Sequence, residues 1–169
     1  MDLTVASQHN LVGHPQQKGA MLAFVAGNLR MALPLQMVDR ALFLPALTPM
    51  PGSPPWQVGV MHLGVEAITV LDLGLRMGFL RQQAYPLDTP LILCRDGRHN
   101  VALVVDEVVG LSHPTPLVMA EGNQAPLFSA VMEDANGPLM VLDLERVMDR
   151  DTLPNMRPVE AFVMPGQKG

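Results

Sequence analysis

Two aspartates sit at the same place in a repeated pattern. Val70-Leu71-Asp72-Leu73 with Met77 recurs as Val141-Leu142-Asp143-Leu144 with Met148, 71 residues further on. Two carboxylates in two similar halves could share one proton and act as general acid and base, as in an aspartic protease dyad. That chemistry needs a small hydroxyl residue and a Gly after each Asp. Here Leu73-Gly74 and Leu144-Glu145 follow, so the hydroxyl is missing twice. The same pattern also has a structural meaning. An apolar strand runs into an Asp, whose carboxylate bonds the free amides at the start of a short helix. We read Asp72 and Asp143 as helix caps.

Other constellations are weaker. The histidines are His9, His14, His62, His99 and His113, and no two have the close helical spacing of a zinc site. One cysteine, Cys94, cannot complete a thiolate cluster or an internal disulfide, and its apolar setting suits a core thiol. Asp106-Glu107 lies in an apolar strand, where neighbours face opposite sides, unless both sit at the strand's end. Neither a phosphate-binding Gly-rich loop with Lys nor a Gly-x-Ser-x-Gly elbow occurs. No metal, no cofactor and no enzymatic activity is expected.

The elements that would position these residues are mostly strands. Three turn signals pair Gly with Asn or Asp between apolar runs: Gly27-Asn28, Asp96-Gly97 and Asn136-Gly137. They imply antiparallel sheets of short strands. Leu35 to Leu44 fits either a helical face or a short turn followed by a strand. Four prolines in Pro49 to Pro55 make a rigid turn before Trp56. The run from Val58 to Leu71 then reads as one long buried strand ending at Asp72. Leu73 to Met77, closed by Gly78, and Leu144 to Asp149 read as short helices.

Apolar residues make up 49% of the 169, enough for a core, but aromatics are only 4%, so that core must be aliphatic, with 13 Met filling gaps. A net charge of −5 argues against nucleic acid or an anionic membrane surface as partner. No apolar run approaches the ~20 residues of a membrane span, and the start lacks a signal-peptide pattern. A cytoplasmic protein without membrane insertion is expected. Residues 1–19 read as a flexible arm and 151–169 as a loose tail around the folded part, 20–150.

The Pro-Gly-x-Pro turn, then Gly59-Val60-x-x-Leu63, then a run ending in Val70-Leu71-Asp72-Leu73, resembles the centre of CheW-like domains. Phe24-Val25-Ala26-Gly27 and Leu33-Pro34-Leu35-Gln36-Met37-Val38 stand where that family has its first strands, and Val104-Val105-Asp106-Glu107-Val108 resembles its Val-Asp-x-Val segment. The resemblance implies a mainly β fold of two small SH3-like five-stranded barrels packed together, with short helices. It also implies a non-enzymatic adaptor that couples the cytoplasmic tip of methyl-accepting chemoreceptors to the regulatory domain of a CheA-type histidine kinase. The receptor tip would lie in an apolar groove between the barrels. The matching positions are Val38, Val108 and Leu111, with His62 and Gly64 in the segment that reads Asn-Leu-Arg-Gly in the family. Here that segment is His62-Leu63-Gly64-Val65, so Gly64 replaces the Arg used near the receptor site. Thr69 replaces a usual Pro, and Gly74 a usual Arg. A second reading is an assembly protein that binds kinase regulatory barrels without receptor contact.

Overall fold

A computed structural model describes residues 19–117 and 126–154 of the chain. All but Gly19 of the expected arm and most of the expected tail therefore lie outside the described residues. Among the described residues eleven strands form two sheets. β1 (Met21–Ala26) and β2 (Leu29–Pro34) make the first hairpin. Gly27 and Asn28 form its two-residue turn with φ of +58° and +69°, the left-handed pair a type I′ turn requires. A 3-10 turn (Leu35–Met37) then carries the chain across to β3 (Val38–Phe43). That resolves Leu35 to Leu44 as turn and strand.

The proline turn leads into β4 (Gln57–Leu63) and β5 (Glu66–Asp72). The single long strand expected from Val58 to Leu71 is thus a hairpin. Gly64 and Val65 form its two-residue loop, between the paired residues Leu63 and Glu66. Gly64 has φ +62° at the first central position, which is the Gly-x form of a hairpin turn. No Asn or Asp stands beside this Gly, so the usual dipeptide signal was missing.

Helix α1 (Leu73–Arg76) follows β5 directly. After a long connection come β6 (Pro90–Arg95) and β7 (Asn100–Val104), then β8 (Glu107–Ser112) and the short β9 (Thr115–Pro116). β10 (Phe128–Asp134), β11 (Gly137–Leu142) and helix α2 (Leu144–Met148) complete the described fold. One sheet has the order β8-β1-β2-β11-β10-β9, the other β3-β6-β7-β5-β4. The second sheet is built from the middle of the chain. The first takes both ends, which is why the two halves are intertwined. The mainly β fold in two units with short helices is as expected. Among the described residues no ladder closes either sheet into a complete barrel.

The two sheets follow one plan. β11 pairs in parallel with β2 at Val141 and Ala32, as β5 pairs with β7 at Val70 and Ala102. The β10–β11 ladder is bulged between Phe128 and Ala130, 71 residues beyond the bulge between Gln57 and Gly59. The β1–β8 bulge at Phe24 and Val108 matches the β3–β6 bulge at Cys94 and Val38. The duplicated Val-Leu-Asp-Leu motif is therefore the most legible part of a repeat that runs through both sheets.

Alternation along the strands divides the core. Ile92, Cys94, Leu103 and Leu71 join Leu22, Phe24, Met31 and Leu33 in a cluster shared between the sheets. The opposite faces of the same strands, with Leu91, Leu93, Val104, Ile68 and Val70, fill a second cluster inside the β3–β7 sheet. These strands are buried on both sides, so they read as continuous apolar runs rather than alternating ones. Each fully buried Leu, Ile or Phe contributes about 1.5–3 kcal/mol.

Candidate functional site

Asp72 is the N-cap of α1 and is fully buried. Its Oδ1 accepts a hydrogen bond from the Leu75 amide at 3.1 Å. Its Oδ2 accepts from Arg81 Nε at 2.6 Å and from the Tyr85 hydroxyl. Arg81 also stacks 4.5 Å over the Tyr85 ring and stands 3.7 Å from Asp106. Asp106 Oδ2 in turn accepts from the Gly27 amide at 2.8 Å. One line of bonds thus runs from the second sheet, through the connection after α1, to the β1–β2 turn of the first. Phe79 closes the same junction. A Cβ at Gly27 would come within 2.3 Å of its ring, so the turn and the ring fit only with glycine.

The electrostatics of this junction hold protons rather than move them. Burial, then the bond to the Asp72 carboxylate, pushes the Tyr85 phenol up. Burial pulls the Arg81 guanidinium down, but the bond and charge of Asp72 outweigh it and its pKa is raised. Tyr85 therefore stays a neutral donor and Arg81 a cation at neutral pH.

The second aspartate is simpler. Asp143 caps α2, with Oδ1 accepting from the Arg146 amide at 3.2 Å. Its Oδ2 lies 3.4 Å from Arg146 Nε. No hydrogen bond joins Asp72 to Asp143, and each is held by its own neighbours. Asp106 and Glu107 sit side by side at the break between β7 and β8, both exposed. Among the described residues no three His, Cys, Asp or Glu gather as a metal site would require. Cys94 is buried, and burial pushes its thiol up to about 12.

Arg76, which no motif marked, ties the two halves together. It is buried, and its Nε donates to the Val147 carbonyl at 2.7 Å. Its NH2 group donates to the carbonyls of Arg146, Asp149 and Thr152. These carbonyls lie at and just beyond the end of α2, where a cation is favoured. The guanidinium also lies 4.5 Å from the centre of the Trp56 ring.

Between the sheets lies an open groove of about 640 Å³. Leu42, Phe43 and Pro90 line it from one sheet and Val108 from the other. Arg81, Asp88, Asp106 and Glu107 form its polar part. β3 and β8 are each the terminal strand of their sheet. Phe43 is 66% exposed. Among the residues singled out from the sequence, Val108 is on this groove. Val38 is half-buried at the start of β3 against the shared core, and Leu111 is exposed further along β8. His62 and Gly64 are on the β4–β5 hairpin, at the other end of the strand order from β3. Phe43, Arg81 and Tyr85 were missed. A lone Phe at the end of a strand and an Arg in a polar connection carry no spacing signal.

The site has apolar walls and a charged rim. Its class is that of intertwined two-sheet β scaffolds. The family model for the CheW-like domain matches residues 20–152, and the chain belongs to that family. A solved structure, the scaffolding protein TtCheW from Thermoanaerobacter tengcongensis, superposes with a TM-score of 0.68 at 16% identity, over 80% of this chain and 96% of that one. No curated protein matches the chain. Among the described residues no helix is long and apolar enough to cross a membrane.

Proposed function

We propose that this chain is a non-enzymatic adaptor in a bacterial chemosensory pathway, linking the cytoplasmic tip of chemoreceptors to the regulatory domain of a CheA-type histidine kinase. Family membership supports the adaptor role. The observation that carries the rest is the groove, with the terminal strand of each sheet contributing apolar side chains at Phe43 and Val108. A helix laid into such a groove gains affinity from apolar burial. Val38, Val108 and Leu111 remain the proposed receptor contacts from the family pattern, with Phe43 added.

A second reading is favoured by Gly64. The family Arg is absent, and the left-handed φ of +62° makes any side chain there strained. An assembly protein that binds kinase barrels without a receptor would need no such Arg. Titrating the full chain with a receptor-tip fragment and, separately, with a kinase regulatory domain decides between the two. The adaptor reading expects both to bind. Kinase binding alone favours the assembly reading, and binding of neither overturns both. Gly64→Arg with Val65→Gly moves the glycine to the second turn position, so the hairpin must change turn type to accept it.

A further inference from the structure

The groove has apolar walls, but its charge is mostly negative. Asp88, Asp106 and Glu107 stand exposed on it, against a single cation, Arg81. That guanidinium is already held by Asp72 at 2.6 Å and faces Asp106 at 3.7 Å. Asp106 is further occupied by the Gly27 amide. Asp88 and Glu107 have no hydrogen-bond or ion-pair partner from their side chains among the described residues. Two uncompensated carboxylates therefore flank an apolar trough, one from the connection before β6 and one from the start of β8. An acidic segment entering the trough would be repelled from both sides. A basic one would be steered in and oriented.

Resting on the adaptor reading, we infer that the segment this groove accepts is a helix with an apolar stripe flanked by Lys or Arg. Asp88 and Glu107 are the specificity-determining residues, selecting by charge while Phe43 and Val108 supply contact. Both acids are on the surface, so neutralising them leaves the fold intact. Exposed ion pairs are weak, so each carboxylate is expected to change Kd by roughly two- to fivefold rather than to switch binding on.

The test uses two helical peptide probes with the same apolar stripe, one flanked by Lys and the other by Glu. Each is titrated by fluorescence anisotropy against the full chain and against Asp88→Asn with Glu107→Gln, at low and high salt. The expected result is tighter binding of the Lys-flanked probe, with the preference lost in the double variant and reduced by salt. Equal binding of the two probes, preference for the Glu-flanked probe, or a preference that survives the double variant overturns the inference. A receptor-tip fragment titrated alongside separates the two levels. If it binds while the probes show no charge preference, the adaptor reading stands and the charge selection falls. If neither the fragment nor either probe binds, both fall.

Discussion

Leu93, Ala102 and Ile68 in one sheet correspond, through the 70- to 71-residue repeat, to Ala23, Ala32 and Leu139 in the other. The ladders match, down to the bulges, but the packing does not. The β3–β7 sheet fills its inner face with Met61, Ile68, Val70, Leu91 and Leu93 among others. Among the described residues the other sheet has Ala23, Ala32 and Leu139 there, with Met21 against them. The caps differ in the same direction. Asp72 is buried and spends its second oxygen on Arg81 and Tyr85, whereas Asp143 meets only its own helix. Backbone topology can be duplicated while burial and electrostatics diverge, and here the richer half also contributes the inter-sheet junction.

The comparison can be broken most strongly in the better-filled sheet. Leu93→Ala should cost about 2–5 kcal/mol, because a fully buried side chain is removed from a packed interior. Leu139→Ala, in a cluster otherwise built on Ala23 and Ala32, should fall at the low end of that range. Denaturant midpoints of the two variants measure the difference, and equal losses would mean the second interior is as tightly packed as the first.

The caps give the next effect. Asp72→Ala should cost about 3 kcal/mol, since it strips the partners from Arg81 and Tyr85 as well as from the helix amide. Asp143→Ala should cost about 1 kcal/mol, the ordinary value for a cap. Thermal melts check both, and similar losses would place Asp72 outside any junction.

The smallest effect is in acid. Asp134 is held down to about 2 by the bond from Arg30, and by those from the Asn136 amide and Ser112. Asp96 is held down to about 2 by His99, first through its ring and then through its amide. Both carboxylates are stronger acids in the folded protein than in the unfolded chain. Their stabilisation is present above an unfolded pKa of about 3.9 and is lost as pH falls from there toward about 2. Melting temperature should drop across that window. Asp134→Asn should make the drop shallower, and an unchanged acid profile would count against its bond to Arg30 in the first sheet.

Sequence revealed those features whose cause is local. Gly27-Asn28 and Asp96-Gly97 marked hairpins because turn geometry is written in adjacent residues. At Asn136-Gly137 the hairpin is present, but its two central residues are Ala135 and Asn136. The Gly64-Val65 turn was hidden because glycine alone supplies the left-handed residue, inside an otherwise apolar run. The Asp72 and Asp143 motifs stood out because the repeat is nearly exact there. Arg76 and Arg81 could not be read, since the partners of Arg76 lie up to 76 residues away and Arg81 itself stands in an irregular connection. Phe43 carried no signal of its own in the sequence, and only tertiary structure leaves it two-thirds exposed. The candidate groove was thus legible as a family expectation at Val108, but its charged rim was not.

The central claim is that the groove between β3 and β8 receives a receptor tip. Phe43→Ala tests it most directly, because the side chain is exposed in the groove and its removal leaves both cores untouched. Val65→Ala, fully exposed at the β4–β5 turn, is the control. Binding of a receptor-tip fragment should weaken roughly tenfold in the first variant, as for a truncated apolar anchor, and stay unchanged in the second. Kinase regulatory-domain binding should hold in both. Unchanged receptor binding by a folded Phe43→Ala protein would contradict the account.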